Sequence, residues 1–345
     1  MKRAMHTCAA AVFALTAGAA TAGDAGFAYI IEGSGFFGAP GIELARVGVV
    51  ELANPSNTVT GHLAGTHLRF GGADFRPGTG ELVGFENTTN ALRIIDLVDG
   101  GNTLIDSIGF MDSGVAGMAF SNDGSITYVT TTVGAFVRVV QADADDGSVI
   151  SVHNILTNSV SSLAVVPEDH PTLNPGDLYG LALVGTGSLR LVNIDLDTNS
   201  VTSSQTLTGI GFTPQFETGL DFTADGTLYA AIQGFDEVNP DVFVEISSHL
   251  YTIDPLTGAA SDLGVIQADG TWDAVTLVID DPDNPCLADI VHDSQLNFFD
   301  ISAFLSLYAD MDPQVDFNND GLIDFFDLSI FLGVFTEGCE GVVGP

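Results

Sequence analysis

Lysine occurs once in this sequence, at Lys2, and the other basic side chains are seven arginines. Lys2 and Arg3 belong to an N-terminal leader, so the rest of the chain sets six arginines against 45 acidic residues, a formal charge of −39. Such a surface repels phosphates, which argues against nucleic acid and anionic membranes as partners. Its excess charge is read as a solubility device, with part of it neutralised by bound cation. Tryptophan is equally scarce: Trp272 is the only one. No Gly-x-Ser-x-Gly elbow is present, and Gly33-Ser-Gly-Phe-Phe-Gly38 lacks both the lysine and the strand–helix context of a phosphate loop. Beyond the leader, the histidines are His62, His67, His153, His170, His249 and His292. No two of them stand four apart as a helical metal pair, and only His62 and His67 are close enough to mark a site together. Past the leader no apolar run is long enough to span a bilayer.

The leader has the form of a secretory signal. Met1-Lys-Arg3 gives a basic start, Cys8 to Ala20 an apolar and small-residue run, and Ala20-Thr-Ala22 a cleavage site, so residues 1–22 are expected to be removed. Cys8 precedes the apolar run and leaves with it. Cys286 and Cys339 remain, and two cysteines in an exported chain are most simply one disulfide. The expected location is extracellular or at the cell surface. Composition then shifts at Asp280-Asp-Pro-Asp-Asn-Pro285, dividing a β-rich body (24–281) from a helical module (286–339) through a linker (282–285), with a short tail (340–345).

The body repeats. Gly72-Ala-Asp-Phe-Arg-Pro-Gly-Thr-Gly-Glu-Leu82, Gly117-Met-Ala-Phe-Ser-Asn-Asp-Gly-Ser-Ile126 and Gly219-Leu-Asp-Phe-Thr-Ala-Asp-Gly-Thr-Leu228 are versions of one motif, and Ser162-Leu-Ala-Val-Val-Pro167 begins a fourth with an insertion. Each encodes a short buried strand, a turn needing positive φ and a second strand. Third strands follow at Leu92–Leu97, Leu189–Asn199 and Leu250–Gly258. A four-stranded unit recurring at about 45 residues predicts a β-propeller. Trp272 to Asp280 reads as the first strand of a blade that the chain never completes, and Phe27–Ile31, Leu44–Leu52 and Thr58–Leu63 supply its missing strands. The expectation is five blades, closed by strands from both ends. On this punctuation the body resembles secreted propellers of the NHL/YVTN type.

Asp74, Asp221 and Asp273 fall at similar steps of three inner strands. Propeller hydrolases line a central channel with carboxylates and metal, so these three are candidates to converge at one mouth. The competing reading is hydrogen bonding between blades. Asp123 and Asp225 are read as turn residues.

Asp316 to Asp327 places Asp316, Asn318, Asp320, Asp324 and Asp327 at positions 1, 3, 5, 9 and 12 of a loop, with Gly321 at the sharp turn and Leu322 offering its carbonyl at position 7. Hard Ca²⁺ takes six to eight oxygens in this spacing. Leu296–Leu305 repeats as Ile323–Leu332. The first copy carries its own loop, with Asp289, Asp293, Gln295 (carbonyl), Asn297 and Asp300 at positions 1, 5, 7, 9 and 12. Val291 and Ser294 replace a ligand and the turn glycine there, so this loop should bind more weakly. Each loop leads into a helix with apolar residues at i, i+3, i+4 and i+7, namely Ile301, Phe304, Leu305 and Tyr308, then Leu328, Phe331, Leu332 and Phe335. A Cys286–Cys339 bond would bracket the pair and contribute about 4 kcal/mol in the chain-entropy model.

On these residues the segment Cys286–Cys339 resembles a type I dockerin, the duplicated calcium-loop-helix module. The resemblance implies one or two Ca²⁺ ions at the positions just named and a cohesin-like or cell-surface protein as partner. Where that family reads its partner, this chain has Phe298, Phe299, Phe325 and Phe326, which are either core or interface. The fold class expected is therefore mainly β, a five-bladed propeller followed by a small α-helical module. The leading functional expectation is a secreted, non-enzymatic recognition or structural protein attached through its tail. The alternative is a calcium-dependent extracellular hydrolase or lyase acting on a glycan or lactone. A third expectation makes the tail a stabilising cap.

Overall fold

Valine, isoleucine, leucine and threonine dominate the strands, and glycine, asparagine and aspartate the turns between them, as a pleated and buried sheet requires. The computed structural model describes residues 27–32, 46–62, 70–95, 101–109, 115–133, 136–157, 159–168, 170–185, 187–239, 242–266, 274–279, 288, 298–309, 315, 323 and 325–337. The leader, His67, Asp273, His292, both late cysteines and most of the two Asp-rich loops lie outside the described residues.

The first three strands are β1 (Phe27–Glu32), β2 (Arg46–Glu51) and β3 (Asn54–His62). Blade 2 contains β4 (Phe70–Phe75), β5 (Leu82–Glu86), β6 (Ala91–Ile95) and β7 (Asn102–Ser107). Blade 3 contains β8 (Val115–Phe120), β9 (Ile126–Val133), β10 (Phe136–Asp143) and β11 (Val149–Ile155). In blade 4 the strands are β12 (Val160–Val165), β13 (Leu178–Val184), β14 (Ser188–Asp195) and β15 (Ser200–Thr206). Blade 5 runs through β16 (Thr213–Phe222), β17 (Leu228–Asn239), β18 (Val242–Ile253) and β19 (Ala260–Val265). Finally β20 (Ala274–Ile279) returns to β1, giving blade 1 the order β20-β1-β2-β3. Five antiparallel four-stranded sheets result, so the propeller and its closure by both chain ends are as expected.

The register Ala28↔Ile279 puts the start of β1 beside the end of β20. Inner strands β4, β8, β12, β16 and β20 neighbour one another around the ring. The chain therefore enters and leaves the propeller at one end of blade 1, the end that also carries the Asp-Gly turns after β8 and β16.

Five separate apolar clusters fill the five junctions between blades. Val83, Phe85, Leu92 and Ile108 of blade 2 and its following loop meet Met118, Phe120, Val129 and Val140 of blade 3. Ile31 and Val278 meet Phe70, Leu82 and Ile95 between blades 1 and 2. Leu82 and Val83 are adjacent in sequence but point to different junctions, because successive side chains of a strand face opposite ways. Both faces of β5 are buried, so it reads as a continuous apolar run. Outer strands alternate with solvent instead, as β15 does.

The axis is packed. Gly72, Gly117, Ser162, Gly219 and Thr276 stand at matching steps of the inner strands, and the gap lined by Gly72, Gly117, Ser162 and Thr276 has no volume that a water molecule can occupy. A Cβ on Gly72 would lie 2.6 Å from the Met118 backbone nitrogen, and one on Gly117 2.8 Å from Ser162 Cα. The Cβ of Gly219 would fall on the backbone nitrogen of Leu277. Glycine is used at these steps for approach, not for a special φ.

Two helices follow, α1 (Phe298–Ala309) and α2 (Phe325–Glu337). Phe304 and Phe331 are buried and stacked, with ring centroids 4.1 Å apart and planes 10° from parallel. Ala288, Val315 and Phe335 complete this small core. The expected i, i+3, i+4, i+7 face is only partly inward: Leu305 and Leu332 are exposed. Ile301, Leu307, Tyr308 and Leu328 pack partly buried against this core, and Leu305 and Leu332, 100° round from Phe304 and Phe331, fall outside it.

Replacing Gly72 with alanine should lower stability by about 3 kcal/mol, because backbone rather than a flexible side chain must move. Gly109→Ala, where a new Cβ meets nothing within 4 Å, should be close to neutral. Thermal unfolding followed by circular dichroism checks both.

Candidate functional site

Of the three carboxylates singled out on the inner strands, Asp74 and Asp221 each bond to backbone of the next blade, and Asp273 lies outside the described residues. Asp74 and Asp221 stand two residues after Gly72 and Gly219, in blades 2 and 5, which blade 1 separates. Asp74 Oδ2 accepts the Phe120 N–H of blade 3 at 2.8 Å. Asp221 Oδ2 accepts the Ile279 N–H of blade 1 at 2.8 Å, and its Oδ1 the N–H of Phe222. Both carboxylates thus tie one inner strand to the next, three residues beyond that strand's own axial residue. At this step the other blades carry Ala119, Ala164 and Val278. In the closing strand the matching residue is therefore Val278 and not Asp273, which lies outside the described residues. Asp74 and Asp221 thus both bond to backbone of the next blade.

Every other junction has a polar tie of its own. Thr276 Oγ1 accepts from the Ala73 N–H and donates to the Ala73 carbonyl, both at 3.2 Å. Asn122 Nδ2 donates to the Val166 carbonyl at 3.0 Å. Ser162 Oγ and Thr218 Oγ1 are 3.1 Å apart. Arg76 adds a second link from blade 2 to blade 3, donating to the Gly124 carbonyl at 3.0 Å and pairing with Asp145.

Asp74 differs from ordinary carboxylates in its titration. Burial pushes it up to about 7, although the N–H groups of Phe120 and Phe75 favour the charged form. The turn carboxylates go the other way. Asp123 accepts from the Ser121 and Ser125 hydroxyls and the Ser125 N–H, which holds it at about 2. Asp225 is likewise lowered, first by the Thr223 hydroxyl and then by the Thr227 N–H. Gly124 (φ 68°) and Gly226 (φ 86°) supply the left-handed step in those turns. Asp123 and Asp225 are turn residues, as read.

The described histidines also have structural employment. His153 sits with Nδ1 2.8 Å from Asn199 Oδ1 and Nε2 2.7 Å from Ser151 Oγ. His170 Nδ1 accepts the Leu173 N–H at 2.9 Å, and its ring meets Phe222 edge-on. His62 has only its backbone described, so the His62–His67 pairing falls outside the described side chains. A constellation that spacing does not announce lies in blade 5. His249 Nδ1 pairs with Asp262 at 3.0 Å, and the His249 ring stacks on Tyr251, whose hydroxyl is pushed up by burial and then by the Asp262 charge. These residues meet through the pairing of β18 with β19, which puts Tyr251 opposite Asp262. Phe212 closes over the group, leaving it as packing.

In the tail, Asp300 and Asp327 are fully buried in the first turns of α1 and α2. The two positions are equivalent in the repeat, each four residues ahead of its member of the Phe304–Phe331 stack. Phe298 and Phe325 are exposed; the side chains of Phe299 and Phe326 lie outside the described set. Among the described residues no three acidic, histidine or cysteine side chains cluster, because the earlier loop positions fall outside them. The donor set itself is all oxygen, and its two described members are buried at helix N-termini, which fits a hard cation.

No protein-family model matches the chain, and no curated protein matches it in sequence. Among solved structures it is similar to nidogen in a nidogen/laminin complex, at 12% identity and a TM-score of 0.42, over 74% of this chain and 98% of that one. TolB from Acinetobacter baumannii gives 16% identity and a TM-score of 0.42, over 71% of this chain and 54% of that one. Hydrazine synthase of Kuenenia stuttgartiensis gives 14% and 0.40, over 66% of this chain and 62% of that one. The chain thus spans less than two thirds of the hydrazine synthase chain, and these likenesses supply no ligand or activity. Among the described residues no helix is long and apolar enough to cross a membrane.

The raised Asp74 has a consequence for stability. The unfolded chain releases this proton near 3.8 and the folded one near 7, so stability falls as pH rises through that window and stays reduced above it. Asp74→Asn retains an oxygen for the Phe120 N–H and cannot charge. It should match the wild type at pH 4 and exceed it at pH 8 by about 2–4 kcal/mol, read from denaturant midpoints.

Proposed function

We propose that the chain is an exported recognition or structural protein, a five-bladed propeller attached to a protein partner through a calcium-folded, dockerin-like tail. The observation that supports this most is the pair of buried carboxylates, Asp300 and Asp327, at equivalent first turns of two helices that share a stacked phenylalanine core. A buried carboxylate is costly even with helpful helix dipoles. A loop of oxygen donors ending at such a residue is how a protein of this charge would use a divalent cation.

Asp316, Asn318, Asp320, Asp324 and Asp327 with the Leu322 carbonyl would hold one ion. Asp289, Asp293, Asn297 and Asp300 with the Gln295 carbonyl would hold another, more weakly. Bound calcium supplies the positive charge that lets these carboxylates approach one another. The chain's own residues then set the helices: Asp300 and Asp327 fix each first turn, and Phe304 and Phe331 join the two halves. A Cys286–Cys339 disulfide would fasten the ends in an exporting compartment. The propeller contributes a body whose first and last strands meet at one end of blade 1.

Titration calorimetry of the full chain tests the metal reading. Two unequal classes of Ca²⁺ site are expected, and Asp320→Ala should remove the tighter class while Asp293→Ala alters only the weaker. Equal losses from both variants would overturn the ranking, and no calcium heat in the wild type would overturn the reading.

A further inference from the structure

The outer strand of blade 3 reads Val149-Ile-Ser-Val-His-Asn-Ile155, and its alternation puts Ser151 and His153 on the half-buried face while Ile150, Val152 and Asn154 are exposed. The same face carries Val137, Val139 and Ile155, which pack on Val192 and Ile194 of blade 4. His153 crosses that junction, with Nδ1 2.8 Å from Oδ1 of Asn199. Asn199 stands in the turn between β14 and β15 at φ 53°, a left-handed step that asparagine tolerates. Asp195 braces the turn by accepting the N–H groups of Asp197 and Thr198.

A carbonyl oxygen can only accept, so Asn199 fixes the ring proton on Nδ1 and leaves the lone pair of the neutral ring on Nε2. Ser151 Oγ lies 2.7 Å from that nitrogen. Joining the blades needs only the His153–Asn199 bond. The serine on the far nitrogen adds nothing across the junction, because Ser151 and His153 share one strand. Register sets Gln141 directly across from Ser151, and Tyr128 across from Gln141. Gln141 Oε1 contacts Ser151 Oγ and is 3.4 Å from His153 Nε2. Ser151 has one proton and cannot serve both acceptors. A half-turn of the Gln141 amide replaces Oε1 with its NH₂ and makes a competitor into a donor beside Oγ.

The geometry points to a second function for the propeller, hydrolysis of a carboxylic ester at the rim between blades 3 and 4. Ser151 is the nucleophile, His153 the base and Asn199 the positioning residue. The side chains of Ser151, Gln141 and Asn199 are uncharged and the chain as a whole is strongly acidic, which selects a neutral ester over an anionic one. Oγ bonds to the carbonyl carbon as its proton passes to Nε2, and the carbonyl π pair moves to oxygen, within reach of the Gln141 donor. The pair returns, the bond to the alkoxy oxygen breaks, and that oxygen takes the proton from Nε2. Acyl-Ser151 and a free alcohol remain. Water then gives a proton to Nε2 and its oxygen to the acyl carbon; the bond to Oγ breaks and Oγ takes the proton back. The sum is ester plus water to acid plus alcohol. Nothing in it depends on the tail.

The test uses the full chain with p-nitrophenyl acetate, and separately a fluorophosphonate reagent followed by peptide mass mapping. Wild type should release nitrophenolate and take the label at Ser151. Ser151→Ala, which removes one oxygen, should lose both, and His153→Gln should slow both by at least about a hundredfold. Asn199→Asp keeps an acceptor on Nδ1 and adds a charge that stabilises the protonated ring, so the pH–rate profile should move to higher pH. A brace between blades would show no such shift. Ser151→Cys gives a reading independent of turnover: iodoacetamide should alkylate its thiol at least about tenfold faster than that of Ser151→Cys/His153→Gln. Hydrolysis that survives Ser151→Ala would overturn the proposal, as would a wild type that neither hydrolyses nor labels at Ser151. Equal alkylation of the two thiol variants would overturn it too and leave the group as a brace.

Discussion

Everything in the propeller depends on how closely five inner strands approach one another at the axis. At Gly72, Gly117 and Gly219 there is no space for a Cβ, and at the other two axial steps Thr276 and the Ser162–Thr218 pair satisfy their hydroxyls on the neighbouring blade. Once those distances are set, each sheet is held between two others and both of its faces become interior. The five apolar clusters, the runs of buried residues in middle strands and the alternation confined to outer strands all follow. Closure by β20 against β1 is part of the same constraint, because without it two inner strands would lose their neighbours and one sheet its edge partner.

The closed axis also decides what the inner carboxylates do. In a wider ring Asp74 and Asp221 could face a channel. In a ring this tight each reaches across to a backbone N–H of the next blade. The cost appears in Asp74, whose burial outweighs two N–H donors and raises its titration to about 7. The turn carboxylates Asp123 and Asp225 use the same group in the open, where hydroxyl and N–H donors lower it instead. One residue type thus serves as a tie between blades and as a brace within a turn, and solvent access separates the two.

Much of this was legible beforehand because blade punctuation is local. The Asp-Gly turns at Asp123 and Asp225 and the strand that follows each are encoded within ten residues, so the repeat, the blade count and the closing strand could all be read. Register in the last strand could not. Thr276 takes the place that glycine holds in three other blades, and with the glycine missing, Asp273 looked like the partner of Asp74 when Val278 stands at that step. The His249–Asp262–Tyr251 group was invisible for a different reason: its members come from paired strands, and pairing is a property of the sheet. In the tail, periodicity predicted one apolar face per helix. The shared core gathers Phe304, Phe331 and Phe335 with Ile301, Tyr308 and Leu328, while Leu305, Leu332, Phe298 and Phe325 are exposed.

In the proposed arrangement the propeller is held together by its own axis and the tail by calcium. Hydrogen exchange on the full chain, with calcium and then with a chelator, tests that division most directly. Protection in 298–309 and 325–337 should collapse on chelation, while the inner and middle strands of all five blades keep theirs. Loss of protection in β20 and β1 along with the helices, or helices indifferent to the chelator, would contradict it.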